Sequence, residues 1–181
     1  MVELPRITTA RLRLRAFTLA DATDVQRLAG DRDIASTTAS IPLPYEDGVA
    51  EQWIATHPRR FEQQMGLDLA ITQETDGALV GAIGLRFERE HDRAELGYWI
   101  GKPYWGRGYA TEAARALVEY GFERLELNRI YARHLTRNPA SGRVLHKIGM
   151  THEGHRRQHE KKWGVWEDDE LYGMLRDDPR P

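Results

Sequence analysis

The chain changes its hydrophobic period once between residues 67 and 125, and that change constrains the fold more than any other feature. Leu67, Leu69 and Ile71 alternate with their neighbours, a second alternating run follows through Leu79, Ile83, Leu85 and Phe87, and a third through Ala94, Leu96, Tyr98 and Ile100. Period two is the mark of half-buried strands. The turn signals ETDG at 74–77 and EHDR at 90–93 join the three runs into an antiparallel meander. Beyond YWGRGYATEA at 104–113 the period becomes helical. Ala110, Ala114, Leu117, Val118, Gly121, Phe122 and Leu125 then lie on one helix face. A strand must therefore run through a glycine-rich turn directly into a helix.

The flanking segments extend this pattern. Leu12, Leu14 and Ala16 alternate with Arg11, Arg13 and Arg15, which predicts a strand. Thr18 and Asp21 resemble a capping box ahead of a helical stripe at Ala22, Val25, Leu28 and Ala29. Polar STTAS and IPLPYEDG (36–48) lead to a second helix through Val49, Trp53 and Ile54, which Pro58 is expected to end or kink. Residues 130–135 read as a strand, Asn138-Pro139 starts a short helix that Gly149 closes, and final strands fall near 150–158 and 166–175. The order β-α-α-β-β-β-α-β-α-β-β predicts one α/β domain over residues 1–181, with a mixed, mostly antiparallel sheet of about seven strands and about four helices.

Net charge is only −2, so nothing global draws the chain to nucleic acid or to an acidic membrane, and the run RRQHEKK at 156–162 reads as a solvated face. With no cysteine there is no disulfide, thiolate metal site or thiol nucleophile. No stretch approaches the roughly 20 apolar residues of a membrane helix. The N-terminus carries no apolar core of signal-peptide length. Together these features predict a soluble, cytoplasmic protein that uses neither nucleic acid nor membrane as partner. A homodimer is compatible with all of them.

A glycine-rich turn at a helix N-terminus directs unpaired amides and the positive end of the helix dipole at one point, a ready anion site. The P-loop pattern G-x-x-x-x-G-K-[ST] is absent, and Thr111 stands where a dinucleotide-binding G-x-G-x-x-G would have its last glycine. A plain turn with a helix cap is the alternative reading. The motif has company, however. ELGYWIGKPYWGRGYATEA (95–113), LNRIYARHLTRNPASGRVLHKIGM (127–150), the EG at 153–154 and WEDDELYGML (166–175), opened by TTARLRLRAFTLADATDV (8–25), together resemble the GNAT superfamily of N-acetyltransferases. Within it the chain is most similar to the branch holding the ribosomal-protein N-terminal acetyltransferases.

That resemblance implies acetyl-CoA as cosubstrate, with its pyrophosphate on the amides of Gly106, Arg107, Gly108, Tyr109, Ala110 and Thr111. Gly108 and Ala110 match the last fixed positions of the family signature, whereas Trp105 replaces its usual Gln or Arg. The resemblance also implies that the strand Glu95–Gly101 is splayed from its neighbour, so that Trp99, Ile100 and Gly101 contact the pantetheine arm, with Asn138 beside it. An exposed amide on that strand is placed to stabilise the oxyanion. The implied activity is acetyl transfer to a primary amine, on a protein N-terminus or a small molecule, by direct attack in a ternary complex. A non-catalytic acetyl-CoA sensor is the alternative.

For the acid, the family tyrosine position holds Leu145, and the likeness points instead to Ser141, one helical turn after Asn138. Ser141 also suits the first turn of a helix for purely structural reasons. For the base, relatives carry a glutamate where this chain has Arg133, leaving Glu160, seven residues after Glu153, or Glu95, acting through water. Both positions also read as ordinary polar ones. HEGH at 152–155 falls one residue short of H-E-x-x-H and lies on a strand, so no metal is assigned. Glu112 reads as a complement to the helix N-terminus.

Overall fold

The computed structural model describes residues 3–181. Its strands are β1 (Ile7–Thr8), β2 (Leu12–Arg15), β3 (Gly66–Gln73), β4 (Leu79–Glu88), β5 (Arg93–Ile100), β6 (Arg129–Leu135), β7 (Thr151–Lys162) and β8 (Val165–Leu175). Its α-helices are α1 (Ala22–Ala29), α2 (Arg32–Thr37), α3 (Val49–Glu62), α4 (Tyr109–Glu123) and α5 (Pro139–Lys147). This is an α/β fold around an eight-stranded open sheet in the order β1-β2-β3-β4-β5-β6-β8-β7. All neighbours run antiparallel except β5 and β6.

That single parallel pair is short. It joins Arg93 to Arg129, Ala94 to Ile130 and Glu95 to Tyr131, and then the strands part. From Leu96 to Ile100 the outer edge of β5 has no strand partner among the described residues, although its other edge pairs with β4 up to Ile100. The opening is held by packing on both faces. On one face α4 buries Ala113, Ala114, Leu117, Val118 and Phe122 against Leu85, Leu96 and Ile130. On the other, Val25, Leu28, Ala50 and Ile54 of α1 and α3 cover Ala70 and Leu79. Each large side chain so buried contributes about 1.5–3 kcal/mol, so the helices cannot drift across the gap at little cost.

Four sequence expectations differ in detail. The two-residue β1 adds an eighth strand. A fifth helix, α2, forms between the α1 stripe and the segment read as polar, overlapping only its first two residues; Asp31 caps it by accepting from the Asp33 amide at 2.8 Å, and Ile34 and Ala35 are its buried residues, too few to show a period. Pro58 does not end α3, which continues to Glu62 because Phe61 packs on the core and Arg60 is tied to Asp68 at 2.6 Å. Strand β7 runs to Lys162, past an irregularity between Arg156 and Glu160 that breaks its alternation.

Candidate active site

At the end of β5 the chain turns through a short 3-10 segment, Lys102–Tyr104, and enters α4. Gly106 and Gly108 have φ of +75° and +79°. A Cβ on Gly106 would meet nothing within 4 Å, and one on Gly108 only the Arg11 guanidinium at 3.4 Å. Backbone handedness, rather than crowding, thus requires glycine here. The Trp105 indole donates to the Ile100 carbonyl at 2.6 Å and anchors the turn to the strand it leaves, which accounts for the tryptophan in place of Gln or Arg.

Gly108 is the N-cap of α4 and offers no side chain. Among the described residues, no acceptor takes the amides of Gly106 to Thr111, so they and the helix dipole face outward together. Glu112 is occupied elsewhere: its carboxylate accepts from the Thr9 hydroxyl at 2.7 Å, the Arg11 amide at 2.9 Å and Arg11 Nε at 2.7 Å. Burial acts to raise its pKa, but these donors outweigh it and hold the group below the usual carboxylate range. It fastens the N-terminal hairpin to α4, in keeping with its structural reading.

The turn opens into a cleft of about 910 Å³ that follows the gap between β5 and β6. Of the residues singled out in the sequence, Glu95, Trp99, Ile100, Gly106, Gly108, Tyr109, Ala110, Thr111, Asn138, Ser141 and Glu160 line it. Gly101 and Arg107 do not. The Gly101 amide donates to Val80 O at 2.8 Å and its Cα packs on Leu28, so it closes the strand against α1. Arg107 accepts Arg11 Nη1 on its carbonyl at 2.9 Å and lays its guanidinium over Tyr104. Arg143 and Lys147, on α5, add positive charge to the wall.

Asn138 caps α5 by accepting from the Ser141 amide at 3.4 Å, which places Ser141 at the cleft. Across the gap the Tyr98 hydroxyl stands 2.8 Å from Ser141 Oγ and 3.2 Å from its carbonyl oxygen. Burial pushes the Tyr98 pKa up to about 12, with the Ser141 hydrogen bond acting weakly against it. Tyr98 falls on an apolar phase of β5, so the sequence pattern presents it as a core residue. A tyrosine there needs a partner for its hydroxyl, and that was the available signal.

Arg133 joins the two carboxylates considered as bases. Its Nε donates to Glu95 at 2.9 Å, and its Nη1 bonds Glu160 and lies 3.5 Å from fully buried Asp169. Arg86 binds the other oxygen of Glu95, and Arg156 holds Asp169 at 2.6 and 2.8 Å. Burial would lower the Arg133 pKa, but Glu160 and Glu95 raise it above its already high ordinary value. The irregularity in β7 is what brings Glu160 to the cleft. His152 and His155 are not near it: both bond Glu170, at 2.7 and 2.8 Å, on an exposed face.

A strand splayed from its parallel neighbour opens at a helix N-terminus with free amides, the arrangement that the resemblance to N-acetyltransferases implies. The family described as "Acetyltransferase (GNAT) domain" matches residues 11–151, and the chain belongs to it. An uncharacterised N-acetyltransferase, p20, of Bacillus licheniformis is 31% identical over 93% of this chain and 94% of its own. The ribosomal-protein-serine acetyltransferase of Escherichia coli is 31% identical over 55% of this chain and 56% of its own. The solved structure of RimL, a ribosomal L7/L12 alpha-N-protein acetyltransferase in complex with coenzyme A, superposes with a TM-score of 0.87 at 18% identity, over 94% of this chain and 98% of that one.

Proposed function

We propose that this acetyltransferase moves the acetyl group of acetyl-CoA to a primary amine, with both substrates held in the cleft at once. The carrying observation is the open edge of β5 ending at the free amides of Gly106 to Thr111. A pantetheine arm can pair with that edge as an extra strand, and a diphosphate can accept from the amides. Arg143 and Lys147 supply further countercharge. Neither turn glycine carries a side chain, which leaves the backbone open to close approach by an anion.

With no cysteine there is no thiol to carry the acetyl group, and direct attack by the amine is the simplest course. Ser141 is the donor to the departing sulfur, and the Tyr98 hydroxyl, 2.8 Å from its Oγ, orients it. The amine gives up its proton through water to Glu95 or Glu160; both line the cleft, and Arg133 already occupies one oxygen of each. The E. coli relative makes a protein N-terminus the first acceptor to test, with small-molecule amines as the second class.

Thiol release from acetyl-CoA should be followed across peptides with free N-termini, polyamines, amino acids and aminoglycosides. Release with at least one class is expected. Tight acetyl-CoA binding without release for any of them would overturn amine acetylation and leave an acetyl-CoA sensor.

A further inference from the structure

Asp68 on β3, Gly84 on β4 and Gly97 on β5 stand in register across three neighbouring strands, and all three line the cleft. They lie on the sheet face covered by α1 and α3. Gly84 has a visible reason to lack a side chain. A Cβ there would sit 2.7 Å from Asp68 Oδ1, so the carboxylate lies across the glycine toward β5. Asp68 Oδ2 receives Arg60 Nη1 at 2.6 Å, whereas Oδ1 has no donor among the described residues. Gly97 has no such packing reason: a Cβ on it would meet nothing within 4 Å, and its φ is not positive. The space above it is open cleft, with Trp53 and Trp99 among its walls.

We propose that this trough is the acceptor subsite, where a primary ammonium on a slender chain sits over Gly97 and donates to Asp68 Oδ1. Strands are spaced about 4.8 Å apart. A carboxylate oxygen already over β4 is thus one spacing from β5, enough for an ammonium nitrogen about 2.9 Å from that oxygen. The same position abuts the open β5 edge. The missing side chains at 84 and 97 admit an unbranched amine, or an N-terminus with small leading residues. Burial raises the Asp68 pKa against the opposing pull of Arg60, the environment of a carboxylate that gains from a second cation.

The subsite rests on the acetyl-transfer reading, and the test separates the two. Gly97→Ala adds one methyl to open space without strain, and Asp68→Asn keeps shape while removing charge. With n-propylamine and the tripeptide Ala-Ala-Ala as acceptors, Asp68→Asn should raise the amine KM by about 10- to 100-fold, the worth of one charged hydrogen bond, and Gly97→Ala should raise it by placing a methyl where the amine sits. Calorimetric affinity for acetyl-CoA should match wild type in both variants; the thermal midpoint should match in Gly97→Ala and fall in Asp68→Asn, which gives up the charge paired with Arg60. An unchanged amine KM in either variant overturns the proposal. If wild type releases no thiol with any amine, the acetyl-transfer reading fails first. Calorimetric titration of n-propylammonium into the CoA-bound protein then decides the subsite. Binding lost in Asp68→Asn upholds it, and no binding to wild type overturns it.

Discussion

A hydroxyl oxygen that accepts one hydrogen bond must send its own proton elsewhere. Tyr98 OH and Ser141 Oγ stand 2.8 Å apart and either can donate, while Tyr98 OH also reaches the Ser141 carbonyl oxygen at 3.2 Å; when Tyr98 donates to Oγ, the serine proton points into the cleft. Ser141→Ala should therefore lower turnover by about 10²–10⁴-fold, the range of a positioned proton donor. Affinity for acetyl-CoA, measured by calorimetry, should stay nearly intact. Tyr98→Phe removes only the orienting bond and should cost less. Full turnover in Ser141→Ala would take the serine out of the chemistry. The carboxylates behave differently because Arg133 binds both. Glu160→Gln or Glu95→Gln leaves the guanidinium its other partner, so folding survives, and whichever residue relays the amine proton should lose the alkaline-rising limb of its pH–rate profile. If neither changes, water alone carries that proton.

At the scale of elements, the turn and the short helix α5 bear the strictest demands. Gly108 sits at φ +79°, where an L side chain costs about 1–2 kcal/mol. Gly108→Ala should lower the thermal midpoint by about 2–8 °C and weaken acetyl-CoA binding by tilting the first amides of α4. An unchanged midpoint would mean the strain is absent. Gly142 is constrained by contact instead. A Cβ would meet His134 Nε2 at 2.6 Å, and that ring cannot swing away cheaply because Nδ1 bonds the Leu135 carbonyl at 2.9 Å. The meander, the turn and α4 were legible because each rests on a local period or a local glycine. Ser141 was legible through Asn138, three residues away. The partnerships of Tyr98 and Asp68 were not, since they depend on which strands adjoin and where β5 and β6 part. Arg133 could be seen as a departure from the family pattern, but not as the ion that bridges Glu95 and Glu160.

Over the whole molecule, the cleft along the open edge of β5 is the site proposed for both substrates, and the chain has no cysteine to hold an acetyl group. Initial-rate patterns should accordingly intersect, and parallel lines in double-reciprocal plots would contradict direct transfer. The acceptor end of that cleft also links its integrity to pH. His57 on α3 is 3% exposed, packed edge-on against Phe17 and Trp53, and neither ring nitrogen has a partner among the described residues. Burial, helped by Arg60, lowers its pKa to about 4, against about 6.5 in an unfolded chain. Between those values the unfolded state binds more protons, so stability falls as pH falls. The contribution is complete above about pH 6.5 and is lost as pH drops through about 4, a total of about 3 kcal/mol. Paired carboxylates such as Asp21 and Glu112 are also held low and lose stability in the same direction, so the bare slope does not identify the histidine. Comparison with His57→Leu does, because the carboxylate share cancels. Urea unfolding at pH 7.5, 5.5 and 4.5 should show wild type losing ground to the variant as acid is added. A stability difference that stays constant across the three pH values would show that His57 is not held neutral by its burial.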